Sequence, residues 1–157
     1  MSRLLFRRFR ASDLAGLSLQ PAQRDAQVIQ KPGSQIGEVL EATGMSWSAI
    51  AGDTLVACAG IVPVWQGRAA AWALFGEIPR GCWTAITRKV KHEIADAHSA
   101  GWWRIEATAR SDFAPACRWL EMLGFEIEGL AKAYDLSRRD HILFGHVAYD
   151  VPGPLPH

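Results

Sequence analysis

Between residues 47 and 109 the apolar period changes from two to about 3.6 and back to two, and few folds accommodate that change. "SWSAIAG" and "TLVACAGIVPVW" alternate as adjacent strands turning at Gly52-Asp53, and "RAAAWALFG" is a third strand after a turn at Gln66-Gly67. Pro63 has no N–H for a ladder, so it marks a bulge or an edge. The longest helix follows, over about 82–99. Trp83, Ile86, Val90, Ile94 and Ala97 recur there at steps of three and four, with Arg88, Lys89, Lys91 and Asp96 on other faces. "WWRIEATA" is again a strand. A strand–helix–strand passage over 70–108 implies one parallel pair inside an otherwise antiparallel sheet.

The flanks extend the pattern. Residues 4–9 read as a first strand, and "ASDLAGL" as a short helix with Ser12 or Asp13 as its N-cap. Residues 20–33 are polar, with a proline near each end, and read as a loop or a frayed helix. Residues 34–42 make another short helix capped by Ser34, with Ile36, Val39 and Leu40 on one face. "SDFAPACRWLEML" is a helix with Ser111 or Asp112 as cap, Pro115 in its first turn and Gly124 just past its end. "FEIEGLAKAY" and "DHILFGHVAY" are two last strands joined by the charged "SRRD" turn. The order is β-α-α-β-β-β-α-β-α-β-β. The expectation is an α+β fold with a mixed, mostly antiparallel sheet of about seven strands and helices on both faces. Residues 1–150 read as one domain and 151–157 as a proline-rich tail.

At 157 residues with 49% hydrophobic content, the chain can bury a real core. A net charge of +1 gives no reason to expect an anionic partner. Arg3, Arg7, Arg8 and Arg10 form the one basic cluster; it reads as a solvated strand face, with nucleic-acid binding as the lesser alternative. No apolar run reaches the ~18 residues of a membrane helix. "MSRLLFRRFR" lacks the apolar core of a signal peptide. Cys58, Cys82 and Cys117 are widely spaced and read as reduced thiols in a cytoplasmic setting. His92 and His98, like His141 and His146, have the wrong spacing for joint ligation, so no metal is expected.

The chemistry concentrates at the strand-to-helix turn. There "GEIPRGCWTA" places Gly76, Glu77, Arg80 and Gly81 ahead of the helix start at Cys82, Trp83 and Thr84. A helix N-terminus presents amides and a favourable dipole to an anion, and glycine lets a phosphate approach. This turn has Gly81 but no second glycine after it, and Trp83 brings bulk.

Three segments resemble the GCN5-related N-acetyltransferase superfamily. "FRASDLAGL" is similar to its opening strand-to-helix segment, Arg10 and Asp13 included. "SDFAPACRWLEMLGFEIEG" is similar to its fourth helix and next strand, with the Leu123-Gly124-Phe125 step. "GFEIEGLAKAYDLSRRDHILF" is similar to the tail of the ribosomal-protein and antibiotic acetyltransferase branch, with Glu128-Gly129, Tyr134 and Asp140 in place. The resemblance implies acetyl-CoA bound between the fourth and fifth strands and attacked directly by an acceptor amine.

Carried onto this sequence, the resemblance places the cofactor along Leu74, Phe75 and Gly76 and at Arg80, Gly81, Cys82, Trp83 and Thr84. The family's usual Arg/Gln-x-x-Gly-x-Gly/Ala loop reads here without its second glycine. Glu77 and Glu106 are the candidate bases; alternation also allows Arg104 and Glu106 to form an ordinary surface ion pair. The family's cofactor-contacting asparagine falls at Phe113 and its acid tyrosine at Leu120, which leaves Tyr134 as the candidate acid. These replacements support a second reading: a binding or structural module with a lapsed active site and a protein partner. Such degenerate relatives include virion-associated phage proteins, to which "RWLEMLGF" is similar. Acceptor and oligomeric state are not legible.

Overall fold

The computed structural model describes residues 3–26, 30–31 and 33–151. Its elements are β1 (Leu4–Arg8), α1 (Asp13–Gly16), a 3-10 helix (Pro21–Ala26), α2 (Ile36–Ala42), β2 (Ser46–Ala51), β3 (Thr54–Trp65) and β4 (Arg68–Phe75). They continue with α3 (Cys82–Ser99), β5 (Arg104–Arg110), α4 (Ala114–Met122), β6 (Glu126–Ala131) and β7 (His141–Val147). The seven strands form one mixed sheet in the order β1-β2-β3-β4-β5-β7-β6. β4 and β5 are its parallel pair, in register from Arg68↔Arg104 to Ala70↔Glu106, as a helical crossover between neighbouring strands requires. β1 with β2, β2 with β3, β5 with β7, and β6 with β7 are antiparallel.

The chain divides into two compact units. The first comprises Met1–Val62 and Ala71–Thr87, the second Pro63–Ala70 and Arg88–His157. Phe9, Leu14, Leu17, Leu40, Cys58 and Leu74 form a buried cluster in the first unit, with Leu19, Leu55, Val62 and Trp72 packed on it. In the second, alternation along β5 buries Ile105, Ala107 and Ala109, while Phe144 comes from β7 and Leu120 from α4.

Several elements stop where local chemistry dictates. α4 ends at the Leu123-Gly124-Phe125 step. Gly124 has φ +98°, and the Phe125 N–H bonds the Leu120 carbonyl at 3.0 Å. That is the Schellman arrangement, in which a residue without a Cβ takes the left-handed conformation and the last carbonyls find donors.

Other expectations need correction. Neither Ser111 nor Asp112 caps α4: Phe113 holds the N-cap position, and the Asp112 carboxylate turns to Arg110 at 2.8 and 2.9 Å. Gln35, not Ser34, is the N-cap of α2, and only Leu40 of its apolar face is buried, with Ile36 and Val39 exposed. Arg7 is not simply solvated. Its guanidinium grips the buried Asp13 carboxylate with two bonds of 2.7 Å. The last two strands are shorter than expected, so Tyr134 lies in the connection between them rather than in a strand. Residues 152–157 of the proline-rich tail lie outside the described residues.

Candidate functional site

The strand-to-helix turn lies wholly in the first unit, which brings together the residues from Leu74 to Thr84 singled out above. Leu74, Phe75, Gly76 and Cys82 are buried; Glu77, Arg80, Gly81 and Thr84 are exposed. Gly81 has φ +86°, and a Cβ built there would meet nothing within 4 Å, so the turn is open on that side. The Cys82 N–H already donates to the Pro79 carbonyl at 3.1 Å. The Trp83 ring is tilted against Phe75 with centroids 5.1 Å apart, so its bulk is directed onto the end of β4. Thus the turn offers an open glycine flank, one amide already engaged and an indole laid along the strand end.

Polar contacts at the end of β4 were not legible in the sequence. Gly76 donates to the Val56 carbonyl of β3 at 2.8 Å. Successive residues of a strand direct their amides to opposite edges, so the Phe75 N–H points away from β3. It donates to Gln23 Oε1 at 2.7 Å, while Gln23 Nε2 donates to the Ala73 carbonyl at 2.8 Å. The Gln20 N–H takes the Phe75 carbonyl at 2.8 Å. Gly76 is a glycine because a Cβ there would stand 2.7 Å from the Ser18 carbonyl.

The second unit holds the other candidates. Glu106 is bound by Arg68 through two bonds of 2.7 and 2.9 Å and by Arg104 Nε at 2.7 Å. Arg104 also grips Glu128 with two bonds, and Arg68 lies 4.3 Å from the Trp65 ring centroid. The Arg68 hydrogen bonds, reinforced by Arg104, hold the Glu106 carboxyl below the usual carboxylate range. A general base near neutrality needs the opposite shift, so this surface ion chain is the surface ion-pair alternative realised.

Tyr134 is more than half exposed; its ring lies 4.9 Å from that of His141. His141 Nε2 faces the Asp135 carboxylate at 3.1 Å, and its buried Nδ1 has no hydrogen-bond partner among the described residues. The sequence does not show this Asp-His pair, because five residues of connection lie between its members. Leu120 is buried on α4 and Phe113 stands at that helix's N-cap, and neither side chain has a proton to give. Among the described residues no three His, Cys, Asp or Glu side chains are grouped to hold a metal ion, and no helix is long and apolar enough to cross a membrane.

No protein-family model and no curated protein matches the sequence. Solved structures do match the fold. The ribosomal-protein-S5-alanine acetyltransferase from Vibrio fischeri aligns with a TM-score of 0.71 at 16% identity, over 98% of this chain and 97% of its own. yncA from Salmonella typhimurium, solved with its cofactor acetyl-CoA, aligns at 0.69 and 13% identity, over 96% and 97%. The acetyltransferase of GNAT family from Streptococcus pneumoniae aligns at 0.64 and 14%, over 92% and 99%. With a seven-stranded mixed sheet in which β4 and β5 pair in parallel, and with near-complete coverage in each comparison, the chain has the GCN5-related N-acetyltransferase fold.

Proposed function

We propose that the protein is an N-acyltransferase that takes an acetyl group from acetyl-CoA and passes it to an amine. The observation that carries this reading is a likeness to acetyltransferase structures that extends over essentially the whole chain. Acetyl-CoA supplies the thioester that the amine attacks. In this reading the exposed Arg80, Gly81 and the first turn of α3 face the pyrophosphate, where a helix N-terminus favours negative charge. Phe75 and Trp83 give the pantetheine an apolar wall. Exposed Glu77, at the end of β4, takes the amine proton, because Glu106 is committed to its two arginines. A thiol of ordinary pKa about 8.5 leaves at reduced rate even without an acid, so Leu120 at the family's acid position does not bar transfer.

Isothermal titration with acetyl-CoA tests the reading. Binding with a Kd of about 0.1 mM is expected, and no heat at millimolar ligand sinks it. A thiol-release assay with an amine panel then reads transfer itself. A second reading, a module that binds a protein partner without catalysis, draws on Leu120 at the acid position and on Gln23 at the β4 edge. A folded protein that is silent to acetyl-CoA favours it.

A further inference from the structure

We propose that residues 18–23 are a built-in competitor for the pantetheine arm, with the Gln23 carboxamide holding the place of a ligand amide on β4. The inference rests on the acyl-CoA reading above. Its geometric basis is the pairing pattern. In a parallel ladder, a residue of the neighbouring strand donates to the carbonyl before the position it faces and accepts from the N–H after it. The Gln23 carboxamide does the same around Leu74, with Nε2 on the Ala73 carbonyl and Oε1 on the Phe75 N–H. The Gln20 N–H extends the pairing to the Phe75 carbonyl. A side chain some fifty residues away in sequence thereby satisfies a strand edge that would otherwise take a partner.

Two observations show that the segment is seated closely. Gly76 lies so near the Ser18 carbonyl that no side chain fits between them. Farther along, Gln30 Nε2 donates to the Leu14 and Leu17 carbonyls at 2.6 and 2.7 Å, anchoring the connection after α1.

Pantetheine is an extended chain with two secondary amides, each offering one donor and one acceptor. It suits the strand edge for the same reason a peptide does. The groups on Ala73 and Phe75 serve either the glutamine or the ligand, so binding has to release Gln23. Cofactor affinity is then lowered by whatever these bonds contribute net.

The test compares wild type with Gln23→Leu, which keeps bulk and removes both hydrogen bonds. It uses two probes: acetyl-CoA, and adenosine 3′,5′-bisphosphate, which has no pantetheine. Acetyl-CoA should bind the variant about tenfold more tightly. The bisphosphate should bind both proteins alike. Equal or weaker acetyl-CoA binding by the variant overturns the proposal and leaves the acyl-CoA reading standing. Absence of acetyl-CoA binding in both proteins overturns that reading, and this inference with it. A measurement on the wild type guards against a variant that fails to fold. The Gln23 side-chain amide resonances should shift to free-amide positions on adding acetyl-CoA and stay put with the bisphosphate. Unchanged resonances in the acetyl-CoA complex refute competition.

Discussion

Asp13 in the first unit and Glu106 in the second are both carboxylates gripped by arginine, yet they do different work. Asp13 is 7% exposed. It accepts from both terminal nitrogens of Arg7, from the Arg10 N–H at 2.8 Å and from the Ser48 hydroxyl at 2.8 Å. Burial alone would raise its pKa, but these donors, Arg7 foremost, hold it below the usual range. Ser48 also contacts Cys58, whose thiol burial pushes up to about 11, so it stays protonated. Glu106 has a quarter of its side chain exposed, and its partners run across a sheet face. A buried charge is costly unless every lone pair finds a donor, whereas an ion pair in contact with water is screened and contributes little. The comparison separates a structural tie from a surface one.

The largest expected effect comes from breaking the buried tie. Asp13→Ala leaves Arg7 and Ser48 without their acceptor and should cost about 3 kcal/mol in urea unfolding. A loss below about 1 kcal/mol would show that water already reaches the cluster. Ser48→Ala, which removes one donor, should cost about 1–2 kcal/mol, and thermal melting resolves it.

Glu106→Gln should cost no more than about 1 kcal/mol and leave any measured acyl transfer within about threefold of wild type. A drop of about a hundredfold or more would restore Glu106 as the base. Raising salt from 0.05 to about 0.5 M should weaken the Glu106 contribution and spare that of Asp13, because screening acts on exposed pairs.

Acid provides the last comparison. A carboxylate whose folded pKa is depressed contributes stability above its unfolded pKa and loses it as pH falls through the folded value. Wild type should therefore lose stability below about pH 4, and Asp13→Asn should lose less over that interval. His146 acts earlier and more weakly. Burial and the adjacent charge of His98, 2.8 Å away, lower its pKa from 6.5, so the folded state resists protonation. Stability should start to decline as pH drops below about 6.5, and replacing His146 with Gln should remove that shallow slope.

Much of the fold was legible because it is written in near neighbours. The turns at Gly52-Asp53 and Gln66-Gly67 both fall between strands as expected. The amphipathic run from Trp83 to Ala97 became α3, and Leu123-Gly124-Phe125 stopped α4. Each is decided within about four residues, by φ preference, capping or a 3.6-residue period. The caps that failed did so because a polar side chain has several partners within reach. Asp112 met Arg110 sooner than the helix amides.

By itself, then, the sequence determined the order of elements, the parallel pairing of β4 with β5 and the tight strand-to-helix turn between β4 and α3. Only the tertiary structure decided that Gln23 closes on β4, that two arginines fix Glu106, and that Asp13 is buried with Arg7. Backbone conformation answers to local sterics and hydrogen bonding. The partner of a polar side chain depends on which distant strands come within about 3 Å, and no local pattern encodes that.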